Sequence, residues 1–328
     1  MTTARLAMDG AGPGTDTGLD GAPRLAFDPG RLDIPALAEA YDTPLYLYDL
    51  DVVTRRVAGL RAALPPGVSL AYAVKANPSL AVLAHLASLG LGADVASAAE
   101  LRTALRAGFE AGRLVMTGPG KRREEHLAAV DAGAVVTVES PGELERLERA
   151  SAAAGRVTPI LLRASASEES AEDVRIIGDS GAGKFGMDDA DLRVAARLAA
   201  ASPHLELLGL HRFGASNVTD WRRLVQAAEI AVQLAAEILG SVDRPVRIVD
   251  VGGGLGIPYA DGEPALDVVA LGRGLASLLE SAAGSRATRD LRLVLEPGRF
   301  LVGPAGVYVA RVVDRKSVRG SRVAILDG

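Results

Sequence analysis

The chain has 328 residues, 48% of them hydrophobic, no cysteine, and a formal net charge of −5 at pH 7. This length suffices for one large α/β barrel with a small appendage or for two ordinary domains, and the composition excludes a disordered or fibrous protein, disulfides and thiolate metal sites. The basic residues are scattered rather than striped, which argues against nucleic acid or an anionic membrane surface as a partner and favours small molecules or another protein chain.

The first 23 residues are rich in Gly, Thr, Asp and Ala without hydrophobic periodicity, which predicts a disordered tail. No segment resembles a signal peptide or an apolar span of about 18 residues, so we expect a cytoplasmic location. Residues 24–44 are predicted to join a β domain formed with the C-terminal residues.

From residue 45 to residue 297, short apolar runs alternate with segments of helical period, as in βαβ units. After a lead-in strand at 45–49, we predict eight strands, at 68–74, 92–96, 114–117, 134–138, 159–163, 207–211, 247–251 and 292–296. Helices are predicted between them, at 79–90, 98–108, 122–132, 141–154, 188–202, 218–240 and 264–284. This alternation over roughly 225 residues predicts a (β/α)8 TIM barrel, with a doubly wound open sheet as the alternative.

Residues 298–328 alternate with period two and predict the start of a second, small β domain. Two strands are marginal alone, so either the N-terminal segment completes this domain or the chain is a fragment.

The residues with chemical potential fall at the carboxyl ends of the predicted strands, and in a TIM barrel that rim builds the active site. These residues are Lys75, Ser97, Glu100, Arg163, His211 to Ser216, Gly252 to Gly254, and Glu296 to Arg299. The four histidines lie far apart and form no H-E-x-x-H pattern, so no metal site is predicted.

Lys75 follows a buried apolar strand, whose low dielectric is expected to lower the pKa of the amine and to permit a Schiff base. The alternative is a lysine whose stem packs on apolar surface while its ammonium reaches water.

The sequence DVGGGLG follows the seventh strand, where the amides of Gly252 to Gly254 either form a nest for phosphate or simply make a tight turn at the rim. In LEPGRF, Arg299 either binds phosphate or forms a rim salt bridge. Glu296 lies on a buried strand and needs a partner, either a pyridinium N–H or a barrel cation. Together with Lys75, these features describe a site for pyridoxal 5′-phosphate.

The chain resembles the fold-type III pyridoxal phosphate decarboxylases, the ornithine and diaminopimelate decarboxylase family. The matching motifs cover residues 43–328 in family order, and they are TPLYLYD, AYAVKANP, ADVASAAEL, LLRASAS, AGKFGM, GLHRFGASN, DVGGGLG and LEPGR. The resemblance implies a barrel followed by a β domain, loss of CO2 from an amino acid, and a homodimer with shared active sites.

The resemblance also implies roles for individual residues. Lys75 becomes the Schiff-base lysine, and Glu296 pairs with the pyridine nitrogen. The residues implied to bind the phosphate are Ser216, Gly252, Gly253, Gly254, Gly298 and Arg299. Catalytic or cofactor-contacting positions are implied for Asp94, Arg163, His211, Phe213 and Asp327.

Two features depart from the family pattern. The family has a ring-stacking histidine where this chain has Phe213, which can still stack but cannot carry a proton. This H-x-F pattern is similar to that of relatives from secondary-metabolism and exopolysaccharide loci, some of which act on amino acids attached to carrier proteins.

The second departure is that the family continues beyond Asp327 and Gly328 with a cysteine–aspartate pair and a tyrosine. We therefore expect a truncated chain that lacks the proton donor for the product.

Two other functions stay open at this stage. One is a racemase or lyase of the same fold, and the other is a non-catalytic or half-site protein that binds pyridoxal phosphate. Lys184 and Arg212 are candidate substrate contacts, with a solvated surface position as the alternative for both.

Overall fold

The structure is a computed structural model, which describes residues 26–165, 184–214, 216–260 and 262–328. The predicted tail at residues 1–23 and parts of the motifs LLRASAS and AGKFGM lie outside the described residues.

A closed barrel of eight parallel strands forms the centre of the molecule, in the order β2 to β9 around the ring. The strands are β2 (Val68–Ala73), β3 (Gly92–Val95), β4 (Leu114–Met116), β5 (Val135–Val138), β6 (Thr158–Arg163), β7 (Leu205–His211), β8 (Ile248–Asp250) and β9 (Arg292–Leu295). Strand β9 closes the ring on β2, with Leu70 opposite Leu295. The predicted TIM barrel is thus confirmed, and the open sheet is wrong because the two edge strands pair with each other.

Most of the helices cover the outside of the barrel, and their apolar faces pack on the strands. The helices of the described residues are α1 (Ile34–Tyr41), α2 (Leu50–Ala63), α3 (Leu80–Ser88), α4 (Ala98–Ala107), α5 (Arg123–Ala132), α6 (Pro141–Ala153), α7 (Asp189–Ala201), α8 (Trp221–Gly240), α9 (Val268–Ala283) and α10 (Arg299–Val302). None of them is long and apolar enough to cross a membrane. Leu83, Leu101 and Leu144, at most 1% exposed, are among the side chains that join helices to the continuous core.

Side-chain caps decide where several helices begin. Helix α8 starts three residues later than predicted because the Asp220 carboxylate accepts a hydrogen bond from Arg222 N. Helix α9 starts at Val268, not at residue 264, because Asp267 caps Ala270 N. Sequence periodicity missed α1 and α2, which begin after the capping residues Asp33 and Asp49.

The remaining strands form two small antiparallel sheets beside the barrel. Strand β1 (Leu45–Tyr48) pairs with β10 (Gly306–Val309), and β11 (Val312–Val318) pairs with β12 (Ser321–Leu326). The barrel domain was predicted to start at residue 45, but β1 joins the C-terminal residues instead. Its exposure alternates along the strand, which suits a small sheet better than a barrel strand buried on both faces.

The N-terminal segment also contacts the C-terminal region. Phe27 N donates a hydrogen bond to Pro304 O at 2.7 Å, and the Thr43 hydroxyl donates to the Asp327 carboxylate. The described part of residues 24–44 contributes helix α1 and no strand.

Candidate active site

Lys75 lies at the mouth of the barrel, in a 3-10 turn (Val74–Ala76) directly after β2. Its Nζ donates a hydrogen bond to Asp94 Oδ2 at 2.9 Å. Ala73 of β2 is in register with Asp94 of β3. Lys75, two residues after Ala73, therefore lies next to the Asp94 side chain. The Asp94 side chain is 2% exposed and the Lys75 side chain 63% exposed, so the amine is held by a buried anion and remains open to solvent.

The charge on Lys75 differs from the sequence-based expectation. Desolvation lowers the pKa of Lys75, but the nearby carboxyl groups of Asp94 and Glu296 together outweigh it and raise that pKa above its ordinary value. The predicted lowering of the Lys75 pKa is therefore wrong. Burial was considered without the carboxyl groups of Asp94 and Glu296, which the barrel places near the lysine.

Three buried groups meet beside the lysine, at the ends of three successive strands. His211 ends β7, Asp250 ends β8 and Glu296 follows β9, and one polar atom of each lies within 4.8 Å of the other two. His211 Nε2 is 4.0 Å from Glu296 Oε2. All three residues are at most 3% exposed.

This cluster favours its uncharged forms. Burial, reinforced by the proximity of Asp94, raises the pKa of Asp250 to about 7. Burial and the charge of Asp250 raise the pKa of Glu296 well above its usual range. Burial and the charges of Arg163 and Lys75 hold the pKa of His211 well below its usual value. A neutral imidazole therefore faces two carboxyl groups that hold a proton more tightly than exposed carboxyl groups do, Glu296 the more tightly of the two.

The glycine-rich loop packs against the same cluster. Gly252 has φ +70°, and a Cβ there would lie 2.5 Å from Phe213 Cδ2. A Cβ on Gly253 would lie 2.4 Å from the backbone oxygen of Glu296. Both positions therefore require glycine, because a methyl group would displace the Phe213 ring or the backbone that carries Glu296.

The loop that carries Ser216 is fixed to the glycine loop by backbone hydrogen bonds. Val218 N donates to Gly254 O at 2.7 Å, and Gly256 N donates to Val218 O at 2.9 Å. The predicted phosphate-binding residues Ser216, after β7, and Gly252 to Gly254, after β8, therefore belong to adjoining loops.

Gly298 approaches the turn that carries Lys75, and Arg299 follows it in the chain. A Cβ on Gly298 would lie 2.9 Å from the Cβ of Ala76, so the missing side chain allows the two segments to touch. Arg299 is exposed at the start of α10, with its guanidinium 5.6 Å from the centre of the Tyr259 ring.

Arg163 belongs to a buried ionic network that sequence reasoning missed. Its Nη1 donates to Glu139 Oε1 at 2.6 Å, and its guanidinium lies 4.6 Å from the centre of the Phe185 ring. Glu139 also accepts hydrogen bonds from Gly118 N and Gly186 N. Beside it, Lys121 donates to Glu143 Oε1 at 2.9 Å.

A simple signal could have found the missed acids. Glu139 follows β5 and Asp250 ends β8, so each stands at the carboxyl end of a buried strand, as Asp94 and Glu296 do. The same rule that selected Glu296 applies to them.

The other predicted contacts lie in different surroundings. Asp327 directly follows β12, and Arg311 N donates to its Oδ1 at 2.8 Å. That bond and the one from Thr43 lower the pKa of Asp327, the Thr43 bond most. Lys184 is exposed, with Nζ 5.1 Å from the centre of the Phe185 ring. Arg212 is 5% exposed, which overturns the solvated alternative for this residue.

The site has several buried polar atoms that form no hydrogen bond with the described part of the chain. Among the described residues, Asp94 Oδ1, Asp250 Oδ2, Glu296 Oε1 and both ring nitrogens of His211 are buried without a hydrogen bond. Buried polar atoms are normally paired, so such a group at the mouth of a barrel indicates a ligand with polar atoms of its own. An amine, a carboxyl cluster and a glycine loop together match an aldehyde, a basic ring nitrogen and a phosphate, so the residues fit pyridoxal phosphate.

Comparisons with known proteins identify the family. Residues 50–303 match the family model described as "Pyridoxal-dependent decarboxylase, pyridoxal binding domain". The chain is 36% identical over 286 residues to diaminopimelate decarboxylase of Neisseria meningitidis serogroup B, covering 86% of this chain and 66% of the relative. It is 29% identical over 303 residues to an L-glutamyl-[BtrI acyl-carrier protein] decarboxylase of Niallia circulans, covering 91% of this chain and 69% of the relative.

Solved structures of similar fold also include a diaminopimelate decarboxylase. The crystal structure of diaminopimelate decarboxylase from Helicobacter pylori complexed with L-lysine matches with a TM-score of 0.80 and 27% identity, covering 90% of this chain and 73% of that one. The chain spans about two thirds of the length of the N. meningitidis relative, 66% by the aligned region. With a matching model over most of its residues, a closed barrel and a site that fits the cofactor, this chain belongs to the fold-type III pyridoxal phosphate-dependent decarboxylase family.

Proposed function

We propose that this protein removes the α-carboxylate of an amino acid as CO2 with pyridoxal phosphate bound at the mouth of the barrel. The observation that carries the proposal is the arrangement of Lys75 and Glu296. The amine opens to solvent beside the buried Asp94, and Glu296 follows β9, the strand that pairs with β2, which delivers Lys75. Family membership supports the reaction class.

The proposal assigns roles to the residues of the site. Lys75 would bond the aldehyde of the cofactor, and Glu296 would contact its ring nitrogen. The Phe213 ring, packed on Gly252, offers an aromatic face to the ring. The phosphate is assigned to the loop residues Ser216, Gly252 to Gly254, Gly298 and Arg299.

Charged side chains of the chain itself support the proposed decarboxylation. The bound cofactor supplies an electron sink for the electron pair that remains when CO2 leaves. Asp94 holds the Lys75 ammonium in place until it loses its proton, and Arg163, held by Glu139, opposes the charge on Lys75 and His211. An acid at the Glu296 position keeps a proton on the ring nitrogen, whereas an arginine there, as in alanine racemases, would weaken the sink.

The substrate class is the finer part of the proposal. A free diamino acid is the first candidate, since a relative at 36% identity is a diaminopimelate decarboxylase. The second candidate is an amino acid attached to a carrier protein. It is supported by the Niallia circulans relative and by Phe213 at the position of the family's histidine. The relatives described are all named decarboxylases, which gives a racemase no support, and the homodimer stays a prediction from the family resemblance.

A spectrum and a CO2-release assay test the proposal. The purified chain with pyridoxal phosphate should absorb at about 420 nm, the expected region for the cofactor bonded to a lysine. Lys75→Ala should abolish this band and the release of CO2. Lys316→Ala, at an exposed lysine of β11, is the matched control and should keep both.

The substrate screen should include meso-diaminopimelate, ornithine, lysine, arginine, glutamate and glutamyl-carrier protein. CO2 from one of them names the substrate class. A band that survives in Lys75→Ala contradicts the assignment of this lysine, and a band without CO2 from any of these compounds contradicts the proposed substrate classes.

A further inference from the structure

Two buried carboxyl groups lie side by side in the site, and the proposed function uses only one of them, Glu296. Asp250 ends β8, and Glu296 follows the neighbouring strand β9, with Asp250 in register with Val294. Their exposed fractions are 0% and 3%. In the described part of the chain, Asp250 Oδ2 and Glu296 Oε1 have no hydrogen-bond partner.

The backbone fixes the two carboxyl groups relative to each other. Asp250 Oδ1 accepts a hydrogen bond from Gly252 N at 2.8 Å, and Gly252 O accepts one from Glu296 N at 2.8 Å. A single residue thus connects the two acids. Because Gly253 leaves no room for a side chain against the Glu296 carbonyl, this connection has little freedom to shift.

The charges around the pair favour one retained proton. Asp94 from β3 and Lys75 after β2 act on both acids, with opposite signs. Arg163 from β6 and Lys121 from the loop after β4 act on His211, which burial and these cations keep neutral. With two acids adjacent and no positive imidazole between them, ionising both is unfavourable.

We propose that Asp250 is a positioning residue that acts through Glu296, with the two carboxyl groups sharing one proton that Glu296 presents to a basic ring nitrogen. After giving this proton to the ring nitrogen, the pair would be fully ionised, and its two negative charges would stabilise the positive N–H. One proton moves from carboxyl to nitrogen, and no other reactant is needed. The inference rests on the proposed function, because it requires pyridoxal phosphate in the site.

A ligand pair that differs only at the ring nitrogen tests the inference. The probes are pyridoxal phosphate and 1-deazapyridoxal phosphate, which has C–H in place of the ring nitrogen. Their dissociation constants are measured by equilibrium dialysis with the wild-type apoprotein and with Asp250→Asn. The amide oxygen of asparagine can still accept the hydrogen bond from Gly252 N, whereas the charge and the shared proton are lost.

The wild type should prefer pyridoxal phosphate over the deaza compound. In Asp250→Asn we expect this preference to fall by about tenfold or more, the effect of losing one charged hydrogen-bond partner. Binding of the deaza compound should change by less than about threefold, since it never contacts the pair through a nitrogen. Glu296→Gln removes the acid proposed to contact the ring nitrogen. It should therefore show the largest loss of preference for pyridoxal phosphate over the deaza compound.

A second readout is the 15N chemical shift of ring-labelled pyridoxal phosphate, which should report a protonated nitrogen in the wild type and a less protonated one in Asp250→Asn. Equal weakening of both ligands assigns Asp250 a purely structural role and overturns the inference, as does an unchanged preference. If Asp250→Asn lacks a cooperative unfolding transition, Asp250→Ser replaces it, because the serine hydroxyl can accept from Gly252 N. A wild-type chain that binds neither compound contradicts the proposed function itself.

Discussion

Lys75 shows how neighbouring charges override burial at a single residue. Desolvation alone lowers the pKa of an ammonium, yet Asp94 and Glu296 raise the pKa of Lys75 above its ordinary value. The lysine therefore stands protonated against Asp94 until a ligand changes the balance. Because bonding an aldehyde requires the neutral amine, Asp94 would control the pH at which the proposed bond to the cofactor forms.

Replacing Asp94 with asparagine should lower the pKa of Lys75. The change removes the nearest anion but leaves desolvation, Glu296 and Arg163 in place, so the proton dissociates at lower pH. The measurement is the rate of acetylation of Lys75 in the apoprotein as a function of pH, read by peptide mass spectrometry. Asp314→Asn, at an exposed acid of β11, is the control and should leave the profile unchanged. A profile that moves to higher pH in Asp94→Asn contradicts the charge balance described for this lysine.

At the scale of elements, the site is assembled from the ends of strands and the turns that follow them. Strands β2 and β3 supply Lys75 and Asp94, while β7, β8 and β9 supply the cluster around Glu296. The turn after β8 depends on glycines because it passes between Phe213 and the backbone of Glu296. Its geometry thus determines where Glu296 lies and shapes the proposed phosphate site.

Gly253→Ala should destabilise the protein and weaken the binding of pyridoxal phosphate. The added Cβ would lie 2.4 Å from the Glu296 backbone oxygen, and a backbone atom cannot move aside as a flexible side chain can. Overpacking of this kind costs about 1–3 kcal/mol of unfolding free energy, which urea denaturation measures.

The matched control is Gly240→Ala at the end of α8, where an added Cβ has nothing within 4 Å. That change should be neutral or stabilise by up to about 1 kcal/mol. Equal stability of the two variants would contradict the close contact at Gly253.

At the scale of the whole molecule, a buried ionic network holds one side of the barrel mouth together. Lys121 donates to Gly118 O at 2.6 Å, to Thr137 O at 2.6 Å and to Glu143 Oε1 at 2.9 Å. Glu143 Oε2 in turn accepts from Glu139 N at 2.9 Å, and Glu139 binds Arg163. The network thus connects the loops after β4 and β5 to the end of β6.

Lys121→Met should destabilise the protein by about 3–5 kcal/mol, because it leaves the Glu143 carboxylate buried without its cation. Burial raises the pKa of Glu143, but the nearby His126 and Lys121 outweigh this and lower it, so the group is charged in the folded protein. Urea denaturation at pH 7 measures the change. The control Lys316→Met, at an exposed lysine, should stay within about 0.5 kcal/mol of the wild type. A loss below about 1 kcal/mol for Lys121→Met contradicts the importance of the network.

The sequence alone predicted the order of the barrel elements because parallel strands buried on both faces appear as continuous apolar runs. The eight predicted strands correspond to β2 to β9, with ends that differ by at most two residues. The motifs around Lys75, Gly252 and Glu296 also indicated the family and its cofactor, since these residues are adjacent along the chain to the strands that deliver them.

Only the tertiary structure decided which groups meet and what charge they carry. Asp94, 19 positions after Lys75 in the chain, is its hydrogen-bond partner because β2 and β3 are in register. Asp250 and Glu139 acquire meaning only from the strands beside them, and β1 joins β10 across more than 250 residues of sequence. Apolar periodicity is a local property that one segment carries by itself. A pKa, a salt bridge or a strand pairing depends on distances between distant segments, and those distances exist only once the barrel has closed.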